Sequence, residues 1–212
     1  MLITWTVYFL FRPKIIYKDK SLKKRLKNMP CVFVANHTHH FDGAFAGAVL
    51  WRYRPWVLVK KSWYDKKNAA AIRWCRTIPI DLDGMDAQWY ETATRIVENG
   101  GSLMIFPEGG LAREGYIQDF KSGAALLSAK LGIPIVPCAI YGTYSPVFGM
   151  RQKIIIGEPI MSVCPPDMRY SKYAAVLAVK SKETVISLYG ELVEKYGDCG
   201  TYKVNYGKKA EK

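Results

Sequence analysis

Acid is scarce in this chain of 212 residues: 18 Asp and Glu stand against 31 Lys and Arg, leaving a formal charge of +13. Such a surplus is unusual for a soluble metabolic enzyme and implies a polyanionic partner: nucleic acid, an anionic membrane or a phosphorylated substrate. Cysteine is also sparse. Cys31, Cys75, Cys138, Cys164 and Cys199 are odd in number, scattered, and form no C-x-x-C pair, so reduced thiols in a cytosolic compartment are expected rather than a disulfide framework. The apolar and aromatic residues 1–11 are too few to cross a hydrocarbon core, which takes about 20 residues of helix. No positive charge precedes them, so they do not follow the pattern of a signal peptide. Internal repeats and clear linkers are lacking too, and the length and 50% hydrophobic content fit one globular domain. Scarcest of all is histidine, with three in the whole chain.

Those three fall within four positions, in Asn36-His37-Thr38-His39-His40-Phe41-Asp42-Gly43. The apolar run Cys31–Ala35 leads in as a strand, and the stretch from Gly43 to Leu50 reads as a helix. A strand running into a polar turn and a helix start is where α/β proteins place their chemistry. His37 reads as a general base and Asp42 as the group that orients it. Five residues along one α-helix leave two side chains roughly 140° apart, so the pair can form only if the chain folds back between strand end and helix start. The plainer reading makes Asp42 an N-cap, with its carboxylate on the amides of the next turn; one carboxylate can do both. His37 and His39 with a nearby acid are one register off the H-x-H-x-D-H pattern of binuclear metallo-hydrolases. Such sites also draw histidines from later in the chain, and none follows His40, so no metal is expected.

Eight basic residues between Arg12 and Lys27, opposed by Asp19 alone, give the first 30 residues a net +7. An aromatic-apolar segment followed by a basic one describes a monotopic membrane contact, the alternative being a helix packed on its own domain with a solvated charged face. Further strands are expected at Trp56–Val59, Thr77–Asp81, Ser102–Phe106, Ile133–Ile140 and Lys153–Ile156, with Pro79 marking an edge or irregular strand. Helices are expected at 63–75, from Asp86 to Asn99, from Ser122 to Leu131 ending at Gly132, and over 171–196. The fold class is α/β: a single domain with a twisted mixed sheet flanked by helices. Its expected parts are an N-terminal membrane-contact segment at 1–30, the α/β domain at 31–197 and a loose basic tail at 198–212.

A second chemical stretch, Phe106-Pro107-Glu108-Gly109-Gly110, ends another hydrophobic strand, with Arg113, Lys121 and Ser122 soon after. Loops at the carboxyl ends of strands share one crevice in an open α/β sheet, and the glycines let the backbone approach a ligand closely. Taken in order, Asn36-His37-x4-Asp42, Ile78-x-x-Asp81, Phe106-Pro107-Glu108-Gly109 and Val136-Pro137 resemble the four motifs of the glycerolipid acyltransferases. In length and motif order the chain is most similar to bacterial 1-acylglycerol-3-phosphate (lysophosphatidate) acyltransferases, from about residue 12 to 190. There are three departures. His39 replaces a small hydroxyl residue. Arg76 and Leu82 stand where the second motif has glycine and arginine. The arginine after F-P-E-G is Arg113 rather than residue 111, which is Leu111.

The resemblance implies transfer of a fatty acyl group from acyl-CoA or acyl carrier protein to the hydroxyl of lysophosphatidic acid, giving phosphatidic acid, with no bound cofactor. It implies catalytic roles for His37 and Asp42. Substrate contacts are expected from Lys60, Arg76, Phe106, Pro107, Glu108, Gly109 and Arg113, with Arg76 standing in for the arginine missing at Leu82. Direct transfer without a serine or cysteine nucleophile fits, because a neutral imidazole can take the acceptor's proton in the transition state. Other acceptors, glycerol-3-phosphate or another lysophospholipid, remain open, as does a non-catalytic basic membrane-binding module. The expected partners are an anionic membrane surface, a lysophospholipid and the acyl donor, not nucleic acid. The expected location is the cytoplasmic face of the membrane, peripheral or monotopic.

Overall fold

The computed structural model describes residues 6, 9–66, 69–81, 88–112, 115–144 and 150–202. Its seven strands are β1 (Lys14–Tyr17), β2 (Val32–Ala35), β3 (Pro55–Lys60), β4 (Thr77–Ile80), β5 (Ser102–Ile105), β6 (Ile135–Tyr141) and β7 (Lys153–Ile156). They form one sheet in the order β1-β7-β6-β2-β5-β3-β4. All neighbours pair in parallel except β6 and β7, which are antiparallel. The expected mixed sheet is therefore present.

Every residue of β2, β5, β6 and β7 is buried. This is why those strands read as unbroken apolar runs: strands of a largely parallel sheet are covered on both faces. Alternate residues serve the two faces. Phe33 and Met104 pack with Phe45, Ala46 and Val49 of α2 (Asp42–Val49). Val32, Val34, Leu103 and Ile105 pack on the other side with α5 (Gln88–Glu98), α6 (Gly123–Leu131) and α7 (Tyr170–Tyr196). The remaining helices are short: α1 (Leu22–Arg25), α3 (Lys61–Tyr64) and α4 (Ala70–Trp74).

The connections define where a site can form. The chain leaves β2 through α2 and passes over β5 to reach β3, whereas it leaves β5 through α6 and passes under β2 to reach β6. The connections that leave the neighbouring strands β2 and β5 thus depart to opposite faces. The crevice outside their carboxyl ends is the topological switch point, the usual ligand site of such sheets.

Several expectations change. β1 lies within the segment read as membrane contact, and Leu22 and Leu26 of that same segment are fully buried. The domain thus begins before residue 31. The helix read over 63–75 is broken into α3 and α4, and the Asp86 start of the next falls outside the described residues. At the other end, Tyr202 is only 3% exposed and bonds to Asn36, so the supposed loose tail is pinned to the domain at that residue. Pro79 does lie in an edge strand, β4, where a missing N–H costs no ladder bond. Gly132 ends α6 with φ at +64°, the left-handed helix stop that glycine adopts without steric cost.

Candidate active site

Both chemical turns emerge at the carboxyl end of the sheet, from the adjacent strands β2 and β5. His37 leaves β2 by one intervening residue, Asn36, and the chain folds back so that Asp42 opens α2. The imidazole Nδ1 and Asp42 Oδ2 are 2.9 Å apart. Asp42 is completely buried, while the His37 side chain keeps 19% exposure.

Asp42 does not cap its own helix. Its Oδ2 accepts the main-chain N–H groups of Thr38 and His39, at 2.7 and 2.8 Å, from the turn before it. Its Oδ1 accepts the hydroxyl of Tyr144 at 2.6 Å. With three other donors converging on it, Asp42 acts as an acceptor, so His37 Nδ1 carries the hydrogen that the pair shares. The ring's base is then Nε2. Phe106 stacks on the imidazole, with centroids 4.3 Å apart and planes at 25°, and fixes its tilt.

The turn after β5 braces the one after β2. Glu108 Oε1 accepts the N–H of His37 at 2.7 Å, and Oε2 accepts that of Gln118 at 3.0 Å. The N–H of Ala112 reaches the His37 carbonyl at 2.8 Å. Glu108 is 7% exposed. Burial raises its carboxyl to about 7, only partly offset by the two backbone donors. Gly109 has φ +74°, which closes this turn, and an added Cβ there would stand 2.8 Å from Lys121 Nζ. On the far side of β2, Asn36 is buried and doubly bonded to β6: its Nδ2 donates to the Ile140 carbonyl and its Oδ1 accepts the Ile140 N–H. Its Nδ2 also donates to the hydroxyl of Tyr202 at 3.1 Å.

Of the residues singled out in the sequence, His37, Asp42, Phe106, Pro107, Glu108 and Gly109 are brought together. Lys60 sits at the carboxyl end of β3, the same edge of the sheet. Arg76 does not join them. The register pairs Val57 with Thr77 and Lys60 with Ile80, which puts Arg76 at the amino end of β4, about 13 Å along the strand from the active edge. It cannot take the place of the arginine missing at Leu82. Arg113 and Leu82 fall outside the described residues. Among the described residues no group of three or more His, Cys, Asp and Glu could hold a metal ion. His39 instead stacks against both Tyr144 and Phe41, which also touch each other, and His40 lies by Trp63.

Sequence reasoning missed Tyr144, Tyr202 and Gln118. No local pattern marks them, because each acts on a turn between 10 and 166 positions away.

Comparison with known proteins agrees with this geometry. Among curated proteins, a chloroplastic 1-acyl-sn-glycerol-3-phosphate acyltransferase of Brassica napus is 28% identical over 120 residues, 54% of this chain and 33% of that protein. A chloroplastic 1-acyl-sn-glycerol-3-phosphate acyltransferase of Arabidopsis thaliana is 38% identical over 48 residues, 23% of this chain and 14% of that one. The chain thus spans at most 33% of the length of these relatives. Among solved structures, the crystal structure of the 1-acyl-sn-glycerophosphate acyltransferase PlsC from Thermotoga maritima matches with a TM-score of 0.56 and 17% identity, over 86% of this chain and 77% of that one, a likeness of fold. The family model described as Acyltransferase matches residues 15–141, more than half of the chain and the whole of both chemical turns, and the chain belongs to that acyltransferase family.

Proposed function

We propose that this chain transfers a fatty acyl group from an acyl thioester, on coenzyme A or acyl carrier protein, to the free hydroxyl of lysophosphatidic acid, forming phosphatidic acid. The observation that carries the reading is the His37–Asp42 pair, 2.9 Å apart at the switch point, with the carboxylate buried and the imidazole open to the crevice. The acceptor is taken from the two plant relatives, which are 1-acyl-sn-glycerol-3-phosphate acyltransferases.

In this mechanism Nε2 of His37 takes the proton of the acceptor hydroxyl as its oxygen bonds to the thioester carbonyl carbon. Asp42 holds the ring in the tautomer that leaves Nε2 basic and stabilises the imidazolium that forms. Of the N–H groups in the Gly109–Gly110 turn, that of Gly109 is held by the Phe106 carbonyl, so the Gly110 N–H is the donor offered to the tetrahedral oxyanion. Collapse breaks the carbon–sulfur bond, and the departing thiolate receives the proton from the imidazolium. A base of this kind is worth about 10² to 10⁴ in rate. Glu108 serves by fixing the His37 backbone, and Phe106 by fixing the ring.

The reading includes a membrane surface. Residues 9 and 10 and the aromatic side chains Phe41, Trp51 and Trp63 are exposed, and the first turn of basic residues, Lys23, Lys24, Arg25 and Lys27, faces solvent. No helix among the described residues is long and apolar enough to cross a membrane, which supports a peripheral or monotopic contact, on the cytoplasmic side where the acyl donors are.

The test is an assay of purified protein with lysophosphatidic acid and each acyl donor, read by lipid mass spectrometry. Glycerol-3-phosphate and other lysophospholipids serve as competing acceptors. Phosphatidic acid should be the main product, and His37→Ala and Asp42→Asn should each remove most of it. Turnover of another acceptor in preference would reassign the substrate. Retention of more than about a tenth of the rate in His37→Ala would remove the base assignment.

A further inference from the structure

We propose that Tyr144 is a positioning residue for the reaction: its hydroxyl fixes the second oxygen of Asp42 and thereby sets both the aim and the basicity of His37. The inference rests on the general-base reading of His37 and Asp42.

The three donors from the turn itself, His37 Nδ1 and the N–H groups of Thr38 and His39, all converge on Oδ2. A carboxylate held by one oxygen can still swing the other. Among the described residues, the donor to Oδ1 is Tyr144, 102 positions away and 2.6 Å distant. Asp42 is fully buried, so without that hydroxyl half of a buried carboxylate would lose its partner, a costly state for a charged group.

The phenol ring is itself held. It stacks on His39 with centroids 4.8 Å apart, and meets Phe45 of α2 and Phe11 edge-on at 6.0 and 5.4 Å. Burial first, and then the adjacent Asp42 charge, push the hydroxyl well above its ordinary range, so it stays a donor throughout the working pH range. His39 replaces the small residue common at its position in the resembling motif. Here it supplies the face on which this ring lies.

A hydroxyl on Oδ1 draws charge away from the carboxylate. Removing it leaves an aspartate that holds the imidazolium proton more tightly but is less well oriented. Tyr144→Phe keeps the ring and its stacking and deletes only the donor. It should lower kcat by about tenfold, the size of one lost charged hydrogen bond, with KM for acceptor and donor unchanged. The acid limb of its pH–rate profile should move to higher pH. The other ionisable groups around the pair are Glu108, His39 and Tyr202, all retained in this variant, so the shift reports Tyr144 alone. Incorporating a fluorinated tyrosine at position 144, a stronger donor of nearly the same shape, should move the acid limb the opposite way. It carries the test if the phenylalanine variant folds poorly.

His37→Ala, assayed alongside, separates the two ideas. If it retains activity, the base reading fails and this inference fails with it. If His37→Ala is inactive while Tyr144→Phe shows wild-type kcat and an unmoved pH profile, only the positioning role is overturned, and Tyr144 is packing.

Discussion

Glu108 lies 71 positions beyond His37, yet its carboxylate accepts the main-chain N–H of His37 at 2.7 Å. A second oxygen on the same side chain holds Gln118, so one buried acid ties three segments of chain around the imidazole. The crevice is built from the ends of two neighbouring strands, and this carboxylate is what makes their turns a single rigid body. Within the F-P-E-G stretch, Glu108 thus holds the His37 backbone and Phe106 its ring.

Glu108 should make stability depend on pH in an unusual direction for an acid. Burial raises its carboxyl from 4.5 to about 7 in the folded chain. A group whose folded value is raised contributes stability that is full below the unfolded value and is lost as pH rises through the folded one. Glu108→Gln does not titrate, and it turns an amide donor toward one of the two backbone N–H groups, leaving a buried donor unsatisfied at a cost of about 1–3 kcal/mol. Wild type should unfold at a higher temperature than the variant at pH 4.5, with the gap shrinking toward pH 7. Thermal unfolding across that range checks it. A gap that widened with pH would mean that the charged form is the one favoured by the fold.

The two glycines that follow should differ sharply. Gly109 has φ +74° and Lys121 lies over it, whereas an alanine Cβ at Gly110 meets nothing within 4 Å. Gly109→Ala should cost about 1–2 kcal/mol from backbone strain and displace the Lys121 ammonium, lowering Tm by roughly 2–8 °C in a chain of this size. Gly110→Ala should stay within about 0.5 kcal/mol of wild type. Equal losses in a denaturation series would show that the strain lies elsewhere.

How much of this was legible in the sequence depends on the span of each contact. The His37–Asp42 pair could be reasoned out because only five positions separate its members and helix geometry forbids every arrangement but a folded-back turn. The buried strands announced themselves as apolar runs because both faces are covered. β1 did not, since Lys14–Tyr17 gains its place only by pairing with Lys153–Ile156, and lysines at its edge look like solvated surface. Tyr144 and Tyr202 were hidden for the same reason. Arg76 misled because it stands only five residues before Asp81, yet a strand carries the chain from one edge of the sheet to the other between them.

The membrane contact can be tested without damaging the core. Lys23, Lys24, Arg25 and Lys27 are exposed, while Leu22 before them and Leu26 among them are buried. Reversing the four charges should leave thermal unfolding nearly unchanged, apart from the exposed Arg25–Glu158 pair. Each reversal should weaken attraction to an anionic leaflet by at least about 1 kcal/mol. Deleting residues 1–10 keeps Phe11 against Tyr144 and should remove the apolar share of binding. Co-sedimentation with phosphatidylglycerol vesicles should fall for both variants, and only the deletion variant's residual binding should depend strongly on salt. Unchanged co-sedimentation in both would rule out the N-terminal segment as the anchor.

On the proposed function the acceptor carries a phosphate that needs a fixed cation near His37, and position along the strands separates the candidates. Lys60 closes β3 at the same edge as the histidine turn, whereas Arg76 sits at the opposite end of β4, level with the strand starts. Arg113 follows the Glu108 turn in sequence and lies outside the described residues, so its assignment rests on that proximity. Lysine acts on phosphate as a point charge and arginine as a bidentate fork. Lys60→Ala and Arg113→Ala should each raise KM for lysophosphatidic acid by about tenfold, the scale of one charged contact, with little change in KM for the acyl donor. Arg76→Ala should leave both constants alone. The same variants assayed with monoacylglycerol, which has the hydroxyl but no phosphate, should match wild type. If Lys60→Ala lost as much with monoacylglycerol, its role would lie outside phosphate recognition, and if Arg76→Ala alone raised KM for the phosphorylated acceptor, the phosphate would have to sit at the amino end of the sheet, away from the base.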